Sequence, residues 1–98
     1  MFGLFKNNVK EAIKKGAVII DVRTPHEFDS GKVPRSINIP VDRISSSIER
    51  IRSMKRPVIV CCSSGTRGGQ AKDILKTAGL EVYNGGSWES VLKIINRL

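Results

Sequence analysis

The chain has 98 residues, with 17 Lys plus Arg against 9 Asp plus Glu and a formal net charge of +8. With 40% hydrophobic residues it can build one modest core, which excludes intrinsic disorder and predicts a single domain over residues 1–98. Cys61 and Cys62 are neighbours that close no useful loop, so a disulfide framework is excluded and a reducing compartment expected. Apolar runs such as Ala17 to Ile20 fall far short of the ~20 residues that a membrane span requires. The start, Met1 to Lys6, lacks a basic region followed by an apolar core, so no secretory signal is read and a cytoplasmic location is expected. The positive charge calls for an anionic partner. With 5% aromatics and basic residues scattered from Lys6 to Arg97, neither nucleic acid nor a membrane surface is favoured over a small anion.

In chain order, Val9, Ala12 and Ile13 recur at helical spacing among Lys10, Lys14 and Lys15, and Gly16 supplies a stop. The β-branched run from Ala17 to Val22 predicts a strand covered on both faces, as in parallel sheets. Thr24 then reads as an N-cap with Pro25 at the first helical position, and Gly31 ends that short helix. Ser36 to Pro40 alternates as a short strand. Ile44, Ile48 and Ile51 predict a helix that Asp42 could cap and Pro57 would end. Val58 to Cys61 is a second buried strand, and residues 62–67 a loop. Ala71, Ile74, Leu75 and Ala78 mark a helix closed by Gly79. Leu80 to Tyr83 reads as a last strand, Asn84-Gly85-Gly86 as a turn, and Trp88, Val91, Leu92 and Ile95 as a terminal amphipathic helix.

Alternating strands and helices predict an α/β fold: a mainly parallel central sheet flanked by helices in three layers. Ligands of such sheets bind beyond the carboxyl ends of the strands. That points to the segment from Val58 to Ala71, in which a cysteine at the end of a buried strand is followed by small residues, an arginine and a helix. Ser63, Ser64, Gly65 and Thr66 are small enough for consecutive N–H groups to turn inward as an anion nest, and the helix adds its positive end. A thiolate at Cys62 would sit in that field as a nucleophile, with Arg67 as a fixed charge at the rim. Gly68-Gly69 lowers helix propensity there and predicts a loosened cradle.

These features resemble the rhodanese (sulfurtransferase) family in its single-domain form, over nearly the whole chain. Asp21 to Phe28 is similar to the family's first box and Gly31 to Pro40 to its second. Val60 to Arg67 resembles the active loop, and Tyr83 to Trp88 the closing Gly-Gly box. The resemblance implies an enzyme that takes a sulfane sulfur from thiosulfate or a similar small anionic donor onto Cys62 as a persulfide. The sulfur would pass to cyanide or a thiol, which could belong to a protein. It implies no metal and no organic cofactor. Ser63, Ser64, Gly65, Thr66, Arg67 and Gly68 would bind donor and persulfide. A monomer is expected. A related alternative is a carrier module that delivers its persulfide to one protein partner with little turnover of its own.

A competing register starts at Cys61. From there the spacing is Cys-x5-Arg, as in cysteine phosphatases and arsenate reductases; from Cys62 it is Cys-x4-Arg. Counting from Pro57 places the nucleophile at Cys62, where the strand would end, and alternation turns Cys61 to the opposite face. His26 reads as an exposed helix residue, Asp21 and Arg23 as a structural ion pair, Glu27 as structural and Trp88 as core. The set Arg50, Arg52, Lys55 and Arg56 reads as a solvated face.

Overall fold

The computed structural model describes residues 2–98 of the chain, with side chains over residues 8–98. Side-chain readings of Met1 to Lys6 lie outside these. The elements are α1 (Phe2–Lys14), β1 (Val18–Asp21), α2 (Pro25–Ser30), β2 (Ile37–Asn38), α3 (Ile48–Ser53), β3 (Val58–Cys62), α4 (Thr66–Thr77), β4 (Val82–Ser87) and α5 (Trp88–Asn96). All strand pairs are parallel, and the four-stranded order is β2-β1-β3-β4. The register sets Val18 beside Val58 and Asp21 beside Cys61.

Two apolar clusters cover the two faces of this sheet. Ile44, Ile51, Ala71 and Leu75, from the α3 and α4 side, pack on Ile20, Val22, Val58, Val60 and Cys62. Val9 and Ala12 of α1 and Val91 of α5 pack with Val33 on Ile59 and Cys61. The β3 burial pattern is buried throughout, as a strand between two helical layers requires. Alternation along β3 thus sends the two cysteines to opposite layers.

Two expected elements take a different form. The helix expected through Ile44, Ile48 and Ile51 is two 3-10 turns, Val41–Arg43 and Ser45–Ser47, before α3 proper. The hydroxyls of Ser46 and Ser47 both donate to the Arg43 carbonyl, at 3.0 and 2.8 Å, and such bonds compete with a regular helical ladder. The three isoleucines reach the core side nevertheless. The last strand runs from Val82 to Ser87, so Asn84-Gly85-Gly86 lies within β4 rather than in a turn. Val60 pairs with Asn84 but Cys62 with Ser87, an extra residue on β4 that makes a β-bulge at the glycines.

The order of strands fixes where the chemistry can sit. From β1 the chain moves outward to β2, then crosses back to β3 on the other side of β1, so the switch point lies between β1 and β3. Their carboxyl ends, followed by α2 and by the cysteine loop, frame the crevice in which α/β sheets place ligands.

Candidate functional site

Cys62 is the last residue of β3 and is 1% exposed, so its sulfur lies at the floor of the loop that follows. The Gly65 N–H donates to Sγ at 2.9 Å and the Gly68 N–H at 3.4 Å. Both bonds would be charge-assisted with a thiolate. Gly65 makes the first possible: its φ of +101° is a left-handed conformation that turns its N–H back over the sulfur.

The rest of the expected cradle is arranged differently. Thr66, Arg67 and Gly68 belong to the first turn of α4 rather than to a loop. Ser64 and Thr66 meet each other through their hydroxyls at 3.5 Å. Among the described residues the hydrogen bonds to Sγ come from Gly65 and Gly68, not from every amide of the segment. Gly68 is a close-packing position: a Cβ there would lie 2.6 Å from the Asn84 side-chain oxygen, which accounts for the glycine without invoking a loosened helix start.

Arg67 is not a free charge at the rim. Its Nη1 and Nη2 donate to the Glu27 carboxylate at 2.6 and 2.9 Å, and Nη2 also donates to Ser63 Oγ at 3.2 Å. Ser63 Oγ in turn donates to Glu27 at 3.1 Å. The carboxylate therefore spans the crevice from α2 to both ends of the loop. Hydrogen bonding to Arg67, and then to the Thr24 backbone, holds its carboxyl well below the usual carboxylate range. Thr24 and Glu27 form a reciprocal capping box that fixes the carboxylate on the first turn of α2.

Behind this sits a buried pair. Arg23 donates through Nε and Nη2 to Asp21, and through Nη1 and Nη2 to the carbonyls of Glu27 and Gly31. Its guanidinium lies 5.2 Å from the centroid of the Trp88 ring. The pair braces α2 from within, the structural role expected for it. His26 is exposed and contributes nothing to the loop.

Two residues that the sequence reading left out of the site hold the loop in place. Glu27 is one. Asn84 is the other: its amide donates to the Gly65 carbonyl at 3.0 Å while its oxygen accepts from the Gly86 N–H at 2.9 Å, tying the loop to the β4 bulge. The Asn-Gly-Gly string was the available signal, and its turn-like composition concealed it.

Cys61 is buried on the α1 and α5 side. Burial foremost, then the nearby Asp21, pushes its thiol up to about 12, which keeps it protonated at neutral pH. No group of three or more metal-ligating side chains occurs among the described residues. Nor is any described helix long and apolar enough to cross a membrane.

A parallel sheet whose switch point carries a cysteine under two glycine amides defines a cysteine-loop α/β protein. The family model for the rhodanese-like domain matches residues 6–92. The chain belongs to that family. It is 34% identical over 74 residues to thiosulfate sulfurtransferase PspE of Escherichia coli, which covers 74% of this chain and 71% of that one. It is 30% identical over 77 residues to a tRNA sulfurtransferase of Thermoplasma acidophilum, where 78% of this chain matches 15% of the longer protein. The structure titled "rhodanese with anions from E. coli" superposes with a TM-score of 0.71 at 34% identity, over 76% of this chain and 91% of that one.

Proposed function

We propose that the protein is a rhodanese-type sulfurtransferase in which Cys62 carries the sulfur. The observation that carries this reading is the Cys62 sulfur held under the Gly65 and Gly68 amides in a chain whose relatives include thiosulfate sulfurtransferases. The thiolate attacks the outer sulfur of thiosulfate. A Cys62 S–S bond forms, the sulfur–sulfur bond of the donor breaks, and sulfite leaves with the electron pair. The two amides act as fixed dipoles toward whichever sulfur bears the charge, without reorganising during the step. A thiophilic acceptor then attacks the outer persulfide sulfur and Cys62 leaves as thiolate.

The competing Cys61 reading gains nothing from the geometry, since that sulfur is buried in the opposite layer and its thiol is held protonated. Reduced protein incubated with thiosulfate is expected to gain the mass of one sulfur atom. Cys62→Ser is expected to abolish the gain and Cys61→Ser to leave it. A gain that survives Cys62→Ser overturns the assignment. Repeated turnover with cyanide distinguishes an enzyme from a carrier module that loads once.

A further inference from the structure

The side chain of Asn84 meets the chain at both residues whose amides donate to the Cys62 sulfur. Its Nδ2 donates to the Gly65 carbonyl at 3.0 Å, and its Oδ1 accepts from the Gly86 N–H at 2.9 Å. The same Oδ1 lies 2.6 Å from where a Gly68 Cβ would stand, and Nδ2 lies 3.7 Å from the Cβ position of Gly69. The carboxamide thus fills space that two missing side chains leave open at the start of α4. Its orientation is fixed by chemistry: turned over, it would set its NH2 against the Gly86 N–H and its oxygen against the Gly65 carbonyl.

Both donor peptides need such a hold. Gly65 stands at φ +101° and ψ −14°, a conformation that glycine enters without steric cost and leaves as readily. Its carbonyl has two lone pairs and two partners, the Gly69 N–H at 2.9 Å and Asn84. The peptide planes on either side of Gly65 are thereby pinned, the first through its N–H on Sγ and the second through its carbonyl on α4 and β4. Gly68 lies in the first turn of α4, where an N–H has no acceptor within the helix, and its N–H reaches Sγ at 3.4 Å. Because β4 pairs with β3, a carboxamide rooted in β4 relates this turn to the strand that ends in Cys62.

We infer that Asn84 is a positioning residue for sulfur transfer and acts with Gly68 as one unit: the carboxamide, seated where a Gly68 side chain would be, aims the Gly65 and Gly68 amides at the Cys62 sulfur. This rests on the sulfurtransferase reading above. Asn84 bonds to the Gly65 carbonyl and not to the sulfur, so it works only through the two amides. Without the carboxamide, Gly65 regains its freedom and the dipoles at the sulfur are no longer aimed before the reaction begins. A methyl group at Gly68 does the same from the other side, by pushing the carboxamide off its seat.

The test is a pair of double-variant cycles. Asn84→Ala and Gly68→Ala are each expected to slow single-turnover uptake of sulfur from thiosulfate by roughly ten- to a hundredfold, with the fold retained by circular dichroism. The double variant is expected to be no slower than the slower single one, because both changes remove the same hold. Losses that multiply overturn the shared unit, and an Asn84→Ala rate equal to wild type overturns the positioning role. The second cycle reads the amides directly by NMR. Cys62→Ala removes their acceptor, so the Gly65 and Gly68 amide protons are expected to shift upfield in the otherwise wild-type chain. In the Asn84→Ala background the same substitution is expected to shift them much less, and a shift of undiminished size overturns the proposal. A merely structural Asn84 would not change that response. Should Asn84→Ala fail to fold, Asn84→Asp carries the same expectations, since it keeps the size and the acceptor for Gly86 but loses the donor to Gly65. If wild type takes up no sulfur, the sulfurtransferase reading fails by itself, and the NMR cycle alone upholds or overturns the placing of the two amides by Asn84.

Discussion

Glu27 joins α2 to a segment remote in sequence: its carboxylate accepts from Arg67, 40 residues away, and from Ser63, as well as from the Thr24 backbone of its own helix cap. Glu27→Gln keeps the shape and removes the charge, so Arg67 loses a bidentate partner and the loop loses a fixed edge. A misplacement of about 1 Å near the reacting atoms can cost up to ~100-fold, and sulfur loading from thiosulfate is expected to slow roughly ten- to a hundredfold with the fold retained. Steady-state rates alongside circular dichroism check this, and an unchanged rate would show that the carboxylate does not position the loop. The same pair sets a pH dependence. A carboxyl depressed in the folded state stabilises it fully above the unfolded value of about 4.3 and loses that contribution as pH falls toward the folded value. Urea midpoints of wild type and Glu27→Gln should therefore differ most above about pH 5, and the gap should narrow progressively as pH falls below about 4. Nothing in the sequence announced this role. The capping pattern at Thr24 was legible because it is local, whereas the partner in α4 exists only once the sheet brings α2 and the loop together.

At the level of elements, the seat of α5 depends on Gly85. A Cβ at that position would lie 2.5 Å from Val91 Cγ2 and 3.1 Å from Ile59 Cγ2, both in the buried layer under α1 and α5. Gly85→Ala must push α5 away from β3 and β4, and overpacking of this kind costs about 1–3 kcal/mol. Chemical unfolding is expected to register that loss, together with weakened sulfur transfer, because Asn84 beside it tethers Gly65. A variant as stable as wild type would mean that α5 shifts freely. The expected strand-and-helix alternation, the capped α2 and the division of Cys61 and Cys62 between layers were legible because each follows from local spacing. The breaks were not. The 3-10 turns before α3 carry serine hydroxyls that bond back to Arg43, and the β4 bulge contains Gly85, packed closely on Val91 of α5, so composition alone read one as helix and the other as turn.

The whole molecule measures 33 × 30 × 23 Å, and this size decides how its charge of +8 can act. At an ionic strength of about 0.01 M the screening length is about 30 Å, comparable to the molecule, so charges everywhere act on an approaching anion; at about 0.15 M it is about 8 Å. Near the loop, Arg67 and Arg23 are already paired with carboxylates, which leaves the glycine amides as the local attraction for a donor. Lys15 and Lys55 precede β1 and β3, at the opposite end of the sheet. From Lys55 to Cys62 the chain runs roughly 20 Å at strand rise. Two charges at that distance from a divalent donor should raise the encounter rate about twofold at low salt and negligibly at about 0.15 M. Lys15→Gln/Lys55→Gln is thus expected to halve the rate of thiosulfate loading at low ionic strength and to match wild type at physiological ionic strength. Stopped-flow loading over a salt series checks both limits. A deficit that persists at high salt would place these lysines in a specific contact instead of a diffuse field.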